Sequence, residues 1–473
     1  MIPPGAHLHF VGIGGAGMSA LAQVMLGRGY HVSGCDLRES EATDRLRRHG
    51  GVVQLGHSTT HVTGVNLVVH SRAIAGEHDE LNAARRAGLP ILHRAELLGQ
   101  VMSAGRGIAV VGTHGKTTTT AMLARVLTHA GLDPTALIGA DVAEYAGNVR
   151  SGAGPWVVAE VDESDGSLLH VSPFAAVLTS LDATDHRDFY TSAGHLRDTF
   201  VRFLRGVDPA GFVTLCVDHP EVRVLQTSLD HPVITYGNDP SASVHGVTTR
   251  LAGQCTQTAV WVEDRPAGEL VLGVPGRHNV ANALGAIAAA RQVGVPVDVA
   301  ITALAAYRGA SRRFAVRGEA AGVLVVDDYA HNPVKVAAVL RAAREGWPRR
   351  RVIALFQPHR FSRTRTTFAE FGGAFEAADE VIVTEIYAAD ESPQPGVSAR
   401  LIVDAIRRQR PVHFRATTSE ALDLIETIVA PGDIVLTLGA GNIGDAADML
   451  LARLAARAAA TPPGAQAAVE GGS

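Results

Sequence analysis

Three times along this chain a run of apolar residues ends in a glycine- or aspartate-rich turn and passes at once into a helical pattern. His7–Gly12 leads through a glycine turn to Met18–Gly27. Gly107–Val111 leads through another to Thr117–Ala130, and Gly322–Val326 passes through Asp327–Pro333 to Val334–Arg344. A strand buried on both faces needs such a continuous apolar run, and strands alternating with helices build parallel sheets with helices on both sides. Three restarts predict three α/β domains, over 1–104, 105–315 and 316–456. The chain's 473 residues accommodate them at roughly 100–200 residues each. The Ala-, Pro- and Gly-rich segment Arg457–Ser473 is expected to be a disordered tail.

The second turn carries the most specific chemistry. In Val110-Val111-Gly112-Thr113-His114-Gly115-Lys116-Thr117-Thr118 a strand runs into a glycine turn and a helix starts at the lysine. Backbone N–H groups of such a turn, aided by the helix N-terminus, cradle phosphate oxygens. Lys116 is expected at the β/γ-phosphates and the Thr117 hydroxyl on Mg²⁺. Val110 stands where the strict pattern has glycine, so the loop is a variant. Of the 42 lysines and arginines only Lys116 and Lys335 are lysines, so a lysine at this point is not a product of composition.

The first turn, Gly12-Ile13-Gly14-Gly15-Ala16-Gly17 followed by Met18, is a G-x-G-x-x-G after a strand, with Asp36 at the end of the next strand-like run. It marks a place where a diphosphate can approach the backbone, without saying which nucleotide: NAD, another diphosphate nucleotide, or none if the turn is structural.

Glu160-Val161-Asp162-Glu163-Ser164-Asp165 follows the strand-like Trp156–Ala159, where a carboxylate can share a Mg²⁺ with nucleotide phosphates; a solvated acidic loop is the plain alternative. Asp185-His186 follows the strand-like Ala175–Leu181, and a histidine there is more often structural than a Mg²⁺ ligand. Asp327-Asp328-Tyr329-Ala330-His331-Asn332-Pro333 and Phe356-Gln357-Pro358-His359-Arg360-Phe361-Ser362-Arg363 also follow strand-like runs, where ligands of open α/β sheets gather. Arg360 and Arg363 are suited to a carboxylate, or are surface residues of an arginine-rich chain.

Composition excludes several classes. A net charge of −5 offers nothing to nucleic acid or an anionic membrane, and no apolar run approaches the roughly 20 residues of a membrane span. Cys35, Cys216 and Cys255 are odd in number and far apart, which suggests neither a disulfide framework nor a zinc site. The N-terminus lacks the pattern of a secretory signal, and the expected compartment is the cytoplasm.

Together these motifs, in this order and over nearly the whole chain, resemble the Mur ligase family. The resemblance implies a Rossmann-like UDP-binding domain, a central P-loop ATPase domain and a Rossmann-like C-terminal domain. It implies an ATP- and Mg²⁺-dependent enzyme that adds L-alanine to the carboxylate of UDP-N-acetylmuramate through an acyl-phosphate, the first amino-acid addition in peptidoglycan precursor synthesis. His9–Ser19 resembles the UDP-binding start, so Gly12, Gly14, Gly15, Gly17, Met18, Asp36 and Ser71 are assigned to the UDP-sugar. Gly112–Thr120 resembles the ATP loop, which assigns Gly112, Thr113, His114, Gly115, Lys116, Thr117 and Thr118 to ATP. Gly276-Arg277-His278-Asn279 with Asn282 resembles the adenine segment, and Ser311-Arg312-Arg313-Phe314 the arginine-bearing stretch, which assigns His278, Asn279, Asn282 and Arg313 to ATP. The family implies Thr117, Glu160 and His186 as metal ligands. It implies Tyr329, His331, His359, Arg360 and Arg363 as the amino-acid pocket, with Lys116, His186, His331, His359 and Arg360 taking part in catalysis. Sister enzymes hold a second Mg²⁺ on a carbamylated lysine, for which this central segment has no lysine besides Lys116. Three positions depart from the family pattern: one extra residue and Ser180 before Asp185-His186, Asn332 in place of a second histidine, and Ser71-Arg72 in place of two serines. A monomer or homodimer is expected. Another amino-acid-adding member of the family, a nicotinamide-dependent dehydrogenase and a non-catalytic nucleotide-binding protein are the competing readings.

Overall fold

The computed structural model describes residues 2–74, 76–182, 185, 189–389 and 391–460. Its strands form three sheets. The first has five parallel strands in the order Val52–Leu55, His31–Asp36, His7–Val11, Leu67–His70, Ile91–His93. Its central strand is the apolar run that opens the sequence, followed by the glycine turn and the helix Ala16–Gly27.

The second sheet has ten strands. At its centre Arg106–Val111 lies between Ala175–Leu178 and Trp156–Glu160, all parallel. The register pairs Val110 with Glu160, so the acidic motif begins beside the turn that leaves Val111. Trp156–Glu160 also pairs with Thr135–Val142. On the other side the sheet continues through Phe212–Cys216 and Val233–Gly237 to Val244–Ala252, Cys255–Val262 and Arg265–Leu272, three strands that the sequence pattern did not single out. Cys255–Val262 alternates buried and partly exposed residues, as a strand with one solvated face does.

The third sheet has six strands in the order Ala315–Ala320, Val323–Asp328, Ile434–Leu438, Val352–Phe356, Glu380–Val383, His413–Phe414. Only its first pair is antiparallel among those whose register is described. Thus Ala315, expected to end the central domain, opens this sheet. The segment expected to begin the tail is also helical at its start: the helix Asp445–Ala460 includes Arg457–Ala460, and Arg457 donates to the Glu426 carbonyl at 2.5 Å. The remainder of that segment lies outside the described residues.

By their contacts the residues group into two compact units. One comprises the residues up to Thr249 with Gln257–Leu272 and Asn279–Ser311. The other comprises Arg250–Thr256, Gly273–His278 and the described residues from Arg312 onward. The first two sheets share the first unit because a single apolar core runs through both, from Leu8, Phe10 and Leu21 to Val111, Ala159 and Leu178. The third sheet has separate cores on its two faces, one around Val326, Phe356 and Leu436 and one around Val325, Leu355 and Val435.

Candidate active site: a phosphate loop, a nucleotide loop and an arginine pocket

The central loop joins the strand Arg106–Val111 to the helix Lys116–His129, and two of its glycines occupy backbone conformations that disfavour side chains. Gly112 has φ +128°, and a Cβ there would lie 2.4 Å from Thr179 Oγ1 and 2.8 Å from the Ser180 backbone. Gly115 caps the helix at φ +82°, and a Cβ would meet Asn282 Oδ1 at 2.4 Å. The loop is held from behind. The His114 N–H donates to Ser180 Oγ at 2.8 Å, the Asp182 N–H donates to Thr113 Oγ1 at 3.0 Å, and His114 Nε2 lies 2.9 Å from Asp182 Oδ2. Ser180, a departure from the family pattern, thus braces the phosphate loop.

Lys116 Nζ donates to the Gly112 carbonyl at 2.6 Å and faces Glu163, with Oε2 at 2.8 Å. Burial alone would lower its pKa, but Glu163, Glu160 and Asp162 outweigh it and hold the ammonium charged. The Thr117 hydroxyl donates to Glu160 Oε2 at 2.7 Å, and that oxygen also accepts from the Gly139 N–H at 3.0 Å. Thr118 is buried in the same first turn. The structure therefore brings together Gly112–Thr118 and Glu160 as the sequence suggests. Two hard oxygen donors side by side, from Thr117 and Glu160, form a set that fits Mg²⁺. Asn282 joins them through its contact with Thr119, with Oγ1 to Oδ1 at 3.3 Å, and Asn279 lies 3.2 Å from the Asn282 amide. His278 has an exposed side chain and belongs, with Arg313, to the second unit. His186 lies outside the described residues; the neighbouring Asp185 is buried.

In the first domain the N–H groups of Gly12 and Ile13 both donate to the Cys35 carbonyl, at 2.9 and 3.0 Å. Gly12 has φ +77°. The helix Ala16–Gly27 follows Gly15 with no side-chain cap on its first turn. Asp36 accepts from the Gly14 N–H at 2.9 Å and from the Arg38 N–H at 3.2 Å, so in this structure it shapes the loop itself. Met18 is a buried residue of that helix, and Ser71 sits partly buried just beyond the strand Leu67–His70. Arg94 was not foreseen. It donates to Asp162 Oδ2 at 2.7 Å, and a Cβ on Gly17 would lie 2.9 Å from its Nη1. In a chain whose cations are nearly all arginine, no local signal marks one such residue.

In the second unit Asp328 accepts from the N–H groups of Phe314 and Ala330, at 2.6 and 2.7 Å, and burial pushes its carboxyl up to about 6. Arg312 donates to Asp327 and to the Gly439 and Gly441 carbonyls, which ties the turn after the strand Ile434–Leu438 to the strand Val323–Asp328. Arg312 and Arg313 both lie over the Tyr329 ring, at 5.4 and 5.2 Å. His331 packs against Tyr329 and lies 5.7 Å from the His359 ring, which stacks on Tyr387. Arg363 Nη1 lies 3.3 Å from His359 Nδ1. Burial first, then Arg363 and Arg360, lowers His359 to about 4, so the ring is neutral at pH 7 and the positive charge of the pocket resides on the arginines. Arg360 is held at φ +68° and ψ 140° by a hydrogen bond from its N–H to the Tyr387 carbonyl, a conformation costing a non-glycine residue about 1–3 kcal/mol. Tyr329, His331, His359, Arg360 and Arg363 are thus gathered as expected. Tyr387 and Glu391, whose carboxylate accepts from Ser362, were missed because neither belongs to the motif. Asn332 caps the helix Pro333–Gly346 by accepting from the Lys335 N–H at 2.9 Å, a structural task at that position.

Glycine turns at the strand ends of two parallel sheets, one of them running into a lysine and a Thr–Glu pair, and a cluster of arginines and histidines on a third sheet are the features of a nucleotide-using α/β enzyme. The chain matches family models described as Mur ligase family, catalytic domain, over 7–106, Mur ligase middle domain, over 110–290, and Mur ligase, glutamate ligase domain, over 312–441, and it belongs to the Mur ligase family. It is 45% identical over 450 residues to a UDP-N-acetylmuramate–L-alanine ligase of Trichlorobacter lovleyi, covering 94% of this chain and 98% of the relative. Among solved structures, it resembles the UDP-N-acetylmuramate–alanine ligase of Thermotoga maritima, with a TM-score of 0.81, 30% identity and coverage of 96% and 100% of the two chains. A murein peptide ligase of Psychrobacter arcticus, at 24% identity and a TM-score of 0.69 over 95% and 99% of the chains, shares the fold.

Proposed function

We propose that this chain joins L-alanine to the carboxylate of UDP-N-acetylmuramate, converting ATP to ADP and phosphate through an acyl-phosphate. The observation that carries the reading is the grouping of Lys116 with the Thr117–Glu160 pair at the ends of adjacent parallel strands. The acceptor and the amino acid are those in the relatives' names.

In this reading a carboxylate oxygen of the muramyl group attacks the γ-phosphorus, the bond to the β–γ bridging oxygen breaks, and ADP leaves. Lys116 neutralises charge on the transferring group. Thr117 and Glu160 would hold a Mg²⁺, with His186 the proposed ligand of a second; the ions would supply positive charge at the phosphate oxygens. The amine of L-alanine then attacks the acyl carbon, loses a proton, and phosphate leaves. Arg360 and Arg363 hold the alanine carboxylate, with Tyr329, His331 and His359 shaping the pocket. Asn279, Asn282, His278 and Arg313 are proposed for ATP. Gly12, Gly14, Gly15, Gly17, Met18, Asp36 and Ser71 are proposed for the UDP-sugar. Boundaries near 104 and 315 and a cytoplasmic location belong to the same proposal. Among the described residues no helix is long and apolar enough to cross a membrane.

The direct test measures ADP release with ATP, Mg²⁺, UDP-N-acetylmuramate and single amino acids in turn. Release is expected to require both the UDP-sugar and L-alanine. Release with the UDP-sugar and a different amino acid would move the assignment to a sister ligase.

A second test uses the strain at Arg360. Arg360→Gly should relieve about 1 kcal/mol of backbone strain while raising the KM for L-alanine about 10–100-fold, the worth of a charged hydrogen bond. An unchanged KM in a folded variant would remove Arg360 from the pocket.

A further inference from the structure

We propose that His9, Cys35, His61 and Glu80 form a metal site in the first domain, separate from the nucleotide loops and suited to a borderline-soft divalent ion such as Zn²⁺. One donor atom from each residue lies within 4.8 Å of all the others. The four come from different elements: the strands His7–Val11 and His31–Asp36, the turn Thr59–Val62 and the helix Asp79–Arg86. A tetrahedral zinc with bonds of about 2.0–2.3 Å holds its donors roughly 3.3–3.8 Å apart, so side-chain adjustments of about 1 Å suffice.

The pointer to an ion is His9. Its ring is fully buried, and Ser33 Oγ lies 2.9 Å from Nδ1, which fixes the ring's direction. The other nitrogen, Nε2, is buried, makes no hydrogen bond and faces Glu80 Oε2 at 3.8 Å, too far for one. An imidazole oriented through one nitrogen, with the second aimed at a carboxylate beyond hydrogen-bond reach, is the arrangement that a metal between them explains. Glu80 is itself fully buried, with ring nitrogens of His9, His57 and His61 at 3.8, 3.5 and 2.7 Å from its oxygens. Cys35 Sγ donates to Glu80 at 3.0 Å, and His61 Nδ1 lies 2.7 Å from its other oxygen. On binding, the thiol proton leaves to solvent. Thiolate and carboxylate then balance the two positive charges of the ion, so no net charge is buried.

His57 and His78 line the more open side. His57 Nδ1 lies 3.2 Å from Cys35 Sγ, its ring packs edge-on against His78 at 4.4 Å, and with Glu80 the two form a second candidate set that gives an ion a way in. Because the Cys35 carbonyl holds the N–H groups of Gly12 and Ile13, an ion on its sulfur would stiffen the base of the first glycine loop. The dispersed cysteines had argued against zinc; the ligands are distant in sequence and meet only in the fold.

The test loads chelator-stripped full-length protein with Zn²⁺ in excess Mg²⁺ and without nucleotide. Metal content is measured after dialysis, with Co²⁺ as the spectroscopic probe. One retained equivalent of zinc, a thiolate-to-Co²⁺ charge-transfer band and a rise in Tm on the order of 5 °C are expected. Cys35→Ser should abolish the band and the retention, and His61→Ala should weaken zinc affinity at least about 10-fold. If Cys35→Ser does not fold, His61→Ala, at a partly exposed ligand, decides the question by zinc affinity and the Co²⁺ spectrum. Absence of retained zinc and of the Co²⁺ band in wild type would overturn the site. A band that survives in Cys35→Ser would do the same, since the thiolate would then be Cys216 or Cys255.

Discussion

Lys116→Ala should lower ADP release at least about 100–1000-fold while UDP-N-acetylmuramate still binds. The ammonium is held between the Gly112 carbonyl and Glu163 in the loop proposed to bind ATP, and removal of one fixed charge stabiliser from such a site costs about that much. The variant should also be less stable, by about 3 kcal/mol, because the fully buried Glu163 carboxylate would lose the cation that it faces. The two effects separate in Lys116→Ala/Glu163→Gln, where stability against urea should return and turnover should not. Turnover close to wild type in Lys116→Ala would withdraw the loop from catalysis.

The second large effect is expected at Gly112→Ala. The added methyl would have to fit 2.8 Å from backbone atoms of Ser180, at a φ of +128° that alanine rarely adopts. Backbone cannot swing aside as a flexible side chain can, so the strand Arg106–Val111 and the Thr179–Ser180 segment must part, at a cost of about 3 kcal/mol or more. Nucleotide binding should be lost with the loop's shape. Gly131→Ala is the internal control: it lies in the same unit, at φ +76° with open space around it, and should cost only about 1 kcal/mol. Equal losses in the two variants, read by urea denaturation, would show that conformation alone, and not close packing, makes Gly112 necessary.

Local physics made much of this molecule legible. Strands buried on both faces write themselves as unbroken apolar runs. The runs at His7, Gly107 and Gly322 accordingly became strands of the three sheets, with helices following at Ala16, Lys116 and Pro333. The phosphate loop was legible for the same reason, since glycine, lysine and threonine are consecutive and the helix start brings them to one place.

Other features depend on which strands become neighbours. The pairing of Val110 with Glu160 turns a possible solvated acidic loop into the partner of Thr117, and Ser180 becomes a brace only because Ala175–Leu178 lies on the other side of Arg106–Val111. Asn332, a departure from the family pattern, takes on a helix cap because the helix begins one residue later. The left-handed Arg360 is set by the Tyr387 carbonyl from another strand's loop. The cluster of His9, Cys35, His61 and Glu80 has no sequence signature at all. By itself the sequence determined the three sheets, the two glycine loops and the residue types available for phosphoryl transfer, because backbone periodicity and turn chemistry act over a few residues. Only the tertiary structure decided which carboxylate faces which cation, which arginine is strained and where four scattered donors meet, because those contacts join residues that only strand pairing and packing bring together.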